Sequence, residues 1–254
     1  MPEERPLEDK VAVVTGASRG IGRAIAIEFG RAGAHVVATA RSSEGAPSKL
    51  PGTIEETARK VEALGRRSLA IATDVTSEEQ VAAMARTTLE AFGRCDILVN
   101  NAGISFPAPF HKTPLKRWDV VMNVNLRGPV MCTQAFLPGM IERRSGCVIN
   151  ISSYLAEMLM PGMLSYSVSK IALEKLTQGL GQELASYNIP VNALRIELNI
   201  ATEGWMFRNP DIDYSTWSKP EEAAETTLWL ATRDPSYTGQ VVTIAEVRQQ
   251  MRSA

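Results

Sequence analysis

The sequence has few cysteines and histidines. Its 254 residues include three cysteines and two histidines. Cys95, Cys132 and Cys147 are odd in number, widely spaced and set in apolar segments, with no CxxC pair and no histidine at a zinc-binding spacing. We therefore expect reduced thiols in the core of a cytoplasmic protein and no metal site.

Long hydrophobic runs and an excess of one charge sign are also lacking. The chain has 27 Lys and Arg against 28 Asp and Glu, so no broad basic field is available for nucleic acid. No apolar run approaches the roughly 20 residues that span a bilayer, and the charged first residues do not resemble a secretory signal. The sequence predicts a soluble protein that binds neither nucleic acid nor membrane.

Short apolar runs rich in Val and Ile alternate with longer amphipathic segments. The short runs are typical of strands buried on both faces, and the longer ones, with apolar residues every three or four positions, of helices. The predicted strands are 11–15, 35–40, 68–73, 96–100, 147–152, 190–195 and 240–244, and the predicted helices are 21–32, 53–64, 78–92, 116–140 and 163–187. This alternation predicts a single-domain α/β Rossmann fold over residues 1–254, a doubly wound seven-stranded parallel sheet with helices on both faces.

Two stretches lack a regular spacing of apolar residues. Residues 42–52 are rich in Ser, Pro and Gly, and residues 199–220 carry several aromatic side chains. Both follow the carboxyl ends of predicted strands, where ligands bind in folds of this type. We expect them to be lids.

A glycine-rich segment joins the first predicted strand to the first predicted helix. It runs Thr15-Gly16-Ala17-Ser18-Arg19-Gly20-Ile21-Gly22. Glycines here allow a tight turn, let the backbone approach a diphosphate and let the helix pack closely on the sheet, while the helix N-terminus favours negative charge. The segment predicts a dinucleotide site, and a turn that only begins a helix is the alternative.

The end of the second predicted strand bears on cofactor choice. Enzymes that prefer NAD usually place an acidic residue there for the ribose 2′-hydroxyl, whereas this strand is followed by Arg41. Arg41 and Arg19 offer guanidinium groups that suit a 2′-phosphate. We expect NADP(H) in preference to NAD(H), although Arg41 could instead be a solvated surface residue.

The next two strands also end in polar residues. An acceptor at Asp74-Val75 could meet the adenine amino group, or Asp74 could cap a helix together with Ser77. Adjacent amides in Asn100-Asn101-Ala102-Gly103 could bond the backbone of a turn or line the cofactor floor.

Tyr166 and Lys170 lie four positions apart in a predicted helix and so project from one face. A nearby ammonium stabilises a phenolate and lowers the phenol pKa from its usual value near 10, which suits proton transfer. Such pairs are commonplace on exposed helices. Ser153 follows the fifth predicted strand, thirteen residues before Tyr166, and its hydroxyl could bond a substrate oxygen.

Together these segments resemble the short-chain dehydrogenase/reductase family over about residues 8 to 245. The resemblance is carried, in family order, by Thr15-Gly16-x-x-x-Gly20-Ile21-Gly22, Asp74-Val75, Asn100-Asn101-Ala102-Gly103, Asn125 in Val124-Asn125-Leu126, Ser153 and Tyr166-x-x-x-Lys170. It implies an oxidoreductase in which Tyr166 is the general acid/base and Ser153 polarises the carbonyl or alcohol. It further implies that Lys170 binds the nicotinamide ribose and lowers the pKa of Tyr166.

For Asn125 the resemblance implies a water-holding role in a proton relay with Lys170; a helix-interior amide is the alternative. Residues 49–54 and 122–128 are similar to the hydroxysteroid-dehydrogenase-like branch of the family.

Two segments depart from the family pattern. Ile196-Glu197 stands where the family usually has Pro-Gly, so Glu197 points outward to solvent, displaces the loop or lies near the nicotinamide. Ala245-Glu246-Val247 replaces the usual Asp-Gly-Gly in a region through which family members often form tetramers. A homodimer or homotetramer remains our expectation.

The segment between Ser153 and Tyr166 is apolar. Its large apolar side chains and those of the opposite lid predict an apolar pocket for a small-molecule carbonyl or alcohol, or else a subunit interface; they are Leu155, Met158, Leu159, Met160, Trp205, Met206 and Phe207. Arg195 and Arg208 are expected at the surface. Two other functions fit the same residues: a non-catalytic NADP(H)-binding regulator or scaffold, and an isomerase or dehydratase.

Overall fold

The computed structural model describes residues 5–253, and a seven-stranded parallel sheet forms its centre. The strand order is β3-β2-β1-β4-β5-β6-β7. The strands are β1 (Val11–Thr15), β2 (His35–Ala40), β3 (Ser68–Ala72), β4 (Ile97–Asn100), β5 (Cys147–Ser153), β6 (Val191–Ile196) and β7 (Val241–Thr243). The order reverses after β1, so the predicted doubly wound Rossmann fold is confirmed.

Helices cover both faces of the sheet. They are α1 (Gly20–Arg31), α2 (Ile54–Glu62), α3 (Glu78–Phe92), α4 (Leu115–Met122), α5 (Gly128–Arg143), α6 (Leu164–Leu184), α7 (Glu203–Arg208), α8 (Pro220–Ala231) and α9 (Ile244–Ser253). One core layer packs side chains of α1, α2, α8 and α9 on the sheet, and the other packs side chains of α3, α5 and α6. Successive residues of β1 serve both layers, since Ala12 and Val14 belong to the first and Val13 to the second.

The predicted helix 116–140 is interrupted. Between α4 and α5 a π-helical turn spans Asn123–Arg127. This turn carries the fully buried Asn125, whose amide bonds the backbone of Ile104. One extra residue in a turn leaves the apolar period almost unchanged, so the sequence predicted one continuous helix. The short α7 lies in the segment expected to be an irregular lid.

The three cysteines lie in the core, as expected. Each is a free thiol, and each is buried. Burial raises the pKa of all three thiols, to about 12 for Cys132 and Cys147. Within residues 5–253, no helix combines the length and the apolar character needed to cross a membrane. The single domain predicted over 1–254 stays a prediction, and residues 1–4 and 254 lie outside the described part.

The two departures from the family pattern meet in space. The carboxylate of Glu197 accepts hydrogen bonds from the backbone N–H groups of Ala245 (2.8 Å) and Ile244 (3.1 Å), at the start of α9. These N–H groups have no partner within the helix, and a carboxylate also complements the positive end of the helix dipole. Glu197 therefore caps α9. Of the alternatives for Glu197, these contacts favour the one in which the carboxylate turns away from the cofactor.

Replacing this cap should lower stability. We expect Glu197→Ala to reduce the free energy of unfolding by about 1 kcal/mol, as loss of a helix cap does. Urea denaturation measures the effect. Glu225→Ala, at an exposed position of α8, is the matched control and should change the free energy by less than about 0.5 kcal/mol. Equal losses in the two variants would contradict the capping role.

Candidate active site

A cleft of about 390 Å³ lies at the carboxyl ends of the central strands. Both predicted lid segments border it, through residues such as Leu50 and Trp205. The predicted cofactor residues outside α6 all line it: Gly16, Ser18, Arg19, Gly20, Ile21, Gly22, Arg41, Asp74, Val75, Asn101, Ala102 and Gly103. The structure thus brings four separate sequence segments to one cleft of ligand-binding size beside the N-terminus of α1.

Asn101 ties the end of β4 to the glycine-rich segment. Its side-chain amide donates hydrogen bonds to the carbonyl oxygens of Thr15 (2.8 Å) and Gly16 (3.3 Å). A Cβ on Gly22 would lie 2.3 Å from this amide nitrogen, and Gly16 has a φ of +69°. Glycine is therefore required at both positions. Asn101 bonds the backbone and lines the cleft, so both of its expected roles coexist.

Arg19 holds one lid in place. Its guanidinium donates hydrogen bonds to the carbonyl oxygens of Leu50, Pro51 and Gly52 and to the hydroxyl of Ser48. These bonds use much of the donor capacity that the sequence analysis assigned to a 2′-phosphate. Arg19 therefore shapes the mouth of the cleft.

Arg41 is the more available cation at the cleft. Its side chain is 64% exposed and lies 3.9 Å from a carboxylate oxygen of Asp74. The other oxygen of Asp74 accepts from the backbone and the hydroxyl of Thr76, while Ser77 caps α3. Arg208 is exposed as expected, but it also lines the cleft.

Ser153 ends β5, and Tyr166 and Lys170 lie on α6, which packs against that strand. Lys170 is only 4% exposed, and its ammonium donates a hydrogen bond of 2.7 Å to the carbonyl oxygen of Ile151. The ammonium nitrogen lies 5.5 Å from the centre of the Tyr166 ring. Burial lowers the pKa of Lys170 to about 8, although the negative charge of Glu174 opposes the shift. Lys170 is thus a buried cation next to a phenol.

Burial raises the pKa of Tyr166 above its ordinary value, and a hydrogen bond with Ser153 opposes the change. The net direction is opposite to the lowering expected from Lys170. Desolvation disfavours the phenolate more than its neighbours favour it. Tyr166 is therefore protonated at neutral pH, which is the form that can donate a proton.

The side chain of Asn125 is occupied by protein partners. Its oxygen accepts from the backbone N–H of Ile104 (2.8 Å), and its nitrogen donates to the carbonyl of Ile104 and the hydroxyl of Ser169 (both 3.0 Å). These contacts join the loop after β4 to α6. A Cβ on Gly103 would lie 3.6 Å from the Asn125 oxygen and 3.7 Å from the Lys170 nitrogen. Because Gly103 lines the cleft, the side chains of Asn125 and Lys170 adjoin it.

Two acidic residues near the site, and the position of one arginine, differ from the expectations from sequence. Glu174 is buried, and it pairs with Arg195, so the expectation that Arg195 lies at the surface is wrong. Glu174 follows Lys170 by four residues, a spacing that places both on one face of a helix and is visible in the sequence. Glu203 accepts a hydrogen bond from the N–H of Gly20 and pairs with Arg23, contacts that join distant segments and leave no local pattern.

Comparisons with known proteins agree with this geometry. The family model described as short chain dehydrogenase matches residues 10–210. The 3-oxoacyl-[acyl-carrier-protein] reductase FabG of Thermotoga maritima is 35% identical over 249 residues, which cover 94% of this chain and 97% of that protein. Hydroxysteroid dehydrogenase-like protein 2 of Xenopus laevis is 32% identical over 253 residues, covering 98% of this chain and 60% of that protein.

A solved structure is similar over nearly the whole chain. It is a metagenomic short-chain oxidoreductase in complex with NADP, with a TM-score of 0.78 and 33% identity, covering 94% of this chain and 97% of that one. The relatives include both a FabG and a hydroxysteroid dehydrogenase-like protein, so the predicted branch stays a prediction. The predicted oxidoreductase class is confirmed, which favours an enzyme over a non-catalytic regulator. The chain belongs to the short-chain dehydrogenase/reductase family.

Proposed function

We propose that the protein transfers a hydride between NADP(H) and the carbonyl or secondary-alcohol carbon of an apolar small molecule. The observation that carries the proposal is that Lys170 lies next to Gly103, a residue of the cleft, while Tyr166 lies beside Lys170 and forms a hydrogen bond with Ser153. A proton donor, a hydroxyl and a buried cation are thereby placed beside the site for a hydride carrier. This is the arrangement that carbonyl reduction needs.

The residues have separate roles in the proposed reaction. The glycine-rich segment and the N-terminus of α1 would hold the cofactor diphosphate. NADPH supplies a hydride when bound, and the protein orients the reaction. Ser153 donates a hydrogen bond to the carbonyl oxygen of the substrate, and Tyr166 donates its phenolic proton to that oxygen as the hydride reaches the carbon. Lys170 stabilises the phenolate that remains until a proton returns from solvent.

The cofactor preference rests on Arg41. Its guanidinium is exposed at the cleft, and no acidic residue ends β2 to accept from the 2′-hydroxyl of NAD. A 2′-phosphate there would gain a charge-assisted hydrogen bond. The similar short-chain oxidoreductase in complex with NADP supports the same choice.

The proposed substrate class rests on the exposed apolar side chains of two loops, of which Trp205 lines the cleft. Met158, Leu159 and Met160 are exposed on the loop after β5, and Trp205 and Phe207 are exposed on the opposite lid. Leu155, by contrast, is buried in the protein. Because relatives of this chain are 3-oxoacyl-[acyl-carrier-protein] reductases, we propose 3-oxoacyl thioesters as the first substrates to test. Part of this apolar surface would lie in the interface of a homodimer or homotetramer, which stays a proposal.

Removing the phenolic hydroxyl tests the proton donor. We expect Tyr166→Phe to lower kcat by at least about 10³-fold while the Kd for NADPH is unchanged, because the ring remains and only the transferable proton is lost. Stopped assays of NADPH oxidation and fluorescence titration measure the two quantities. Tyr187→Phe, in the short 3-10 helix that follows α6, is the matched control and should keep full activity. Comparable kcat values for Tyr166→Phe and the wild type would refute the assignment.

Removing the guanidinium of Arg41 tests the cofactor preference. The wild type should favour NADPH over NADH, and Arg41→Ala should lower kcat/KM for NADPH by about 10- to 100-fold, the value of one hydrogen bond to a charged group. The kcat/KM for NADH should hardly change. Arg86→Ala, exposed on α3, controls for a general loss of positive charge. Equal losses with both cofactors would contradict the role of Arg41.

A further inference from the structure

Glu174 is a buried carboxylate that the proposed reaction does not use. It is 3% exposed and lies one helical turn after Lys170 on α6. One carboxylate oxygen accepts from the hydroxyl of Ser152 (2.7 Å) and from Nε of Arg195 (2.9 Å), and the other accepts from Nη2 of Arg195 (2.8 Å). All of these partners lie at the carboxyl ends of β5 and β6, beside Ser153.

Arg195 links this carboxylate to the loop that follows Ser153. Its register partner in the sheet is Ser152, and its remaining guanidinium nitrogen lies 2.7 Å from a carboxylate oxygen of Glu157. Arg195 is thus held between two carboxylates, one on α6 and one on the substrate-facing loop. The planar guanidinium fixes the distance and angle between these elements in a way that an ammonium would not.

Burying such charges opposes folding. An ion pair in the interior seldom stabilises a protein more than an apolar pair of the same shape, because both charges lose their hydration. Stability alone therefore does not account for a carboxylate at this position. The location of Glu174 accounts for it better, since the buried ammonium of Lys170 lies one helical turn before it on α6.

We propose that Glu174 and Arg195 are positioning residues for the proposed reaction: Glu174 keeps Lys170 in its charged form, and Arg195 fixes the loop after Ser153 through Glu157. The inference rests on the proposed function. Around Lys170 lie the phenol of Tyr166, the carbonyl of Ile151 and, one helical turn along α6, the carboxylate of Glu174, which is paired with Arg195.

The sign of each effect follows from these charges. Burial lowers the pKa of Lys170 and the charge of Glu174 opposes that shift, so a neutral side chain at position 174 should lower the pKa further. Neutralising Arg195 should do the opposite, because the field of Glu174 would no longer be compensated by a cation. A structural pair whose loss only loosens the fold would instead affect both variants alike.

The test is the pH dependence of kcat for reduction by NADPH of a 3-oxoacyl thioester. For the wild type we expect a decline above about pH 8, where Lys170 loses its proton. The decline should move to lower pH by about one unit in Glu174→Gln and to higher pH in Arg195→Gln. Glu157→Gln should raise KM several-fold and leave the pH dependence unchanged. Glu183→Gln, exposed on the same helix, is the matched control.

The inference would be overturned if the decline in kcat moved in the same pH direction in Glu174→Gln and Arg195→Gln. Losses of activity without any shift of that decline would overturn it as well. If Glu174→Gln does not fold, Arg195→Gln and Glu157→Gln still decide it. A nitrogen-15 NMR titration of the Lys170 ammonium in the same variants gives its pKa without any assay. A wild type that does not turn over substrate refutes the proposed function, whereas an unchanged Lys170 pKa in the variants refutes this inference.

Discussion

The site depends on one physical constraint, the burial of a positive charge on α6. An ammonium that has left water must be compensated by dipoles or charges nearby. Lys170 meets this requirement with the carbonyl of Ile151 at the end of β5 and with the carboxylate of Glu174 on its own helix. The bond from Lys170 to Ile151 and the bonds of Glu174 with Ser152 and Arg195 fix α6 against the carboxyl ends of β5 and β6. Tyr166 lies on the same helix, beside the ammonium.

The departures from the family pattern illustrate a second constraint, which is that a helix end needs partners. The chain after β7 turns directly into α9, and the free N–H groups at its start are satisfied by Glu197. Glu197 stands where the family usually has glycine, and the α9 segment stands where the family usually has Asp-Gly-Gly. The two changes therefore form one contact, between Glu197 and Ala245, which are 48 residues apart in sequence.

The fold could be predicted closely because local physics dictates most of it. Strands buried on both faces must be continuously apolar, and β1, for example, has the predicted bounds Val11–Thr15. Helix α3 also has its predicted bounds, since Ser77 caps its start and Gly93 takes a left-handed conformation at its end. The residues that line the cleft could also be predicted, because glycines and strand ends converge at the same edge of a parallel sheet.

What could not be predicted depends on contacts between distant residues. Arg195 was expected at the surface because its carboxylate partner Glu174 lies 21 positions earlier in sequence, in another type of element. The π-helical turn at Asn125 depends on the backbone of Ile104, and no periodicity shows it. The direction of the Tyr166 pKa shift depends on how deeply the phenol is buried, which the four-residue spacing to Lys170 does not determine.

The central claim is that a hydride passes from the cofactor to a carbonyl carbon of the substrate. NADPH that carries deuterium at both positions of nicotinamide C4, incubated with the enzyme and a 3-oxoacyl thioester, tests it by mass spectrometry of the product. The account predicts an alcohol with one deuterium on the carbon that bears the new hydroxyl. A product without deuterium, formed while the cofactor stays reduced, would contradict it and indicate isomerisation or dehydration.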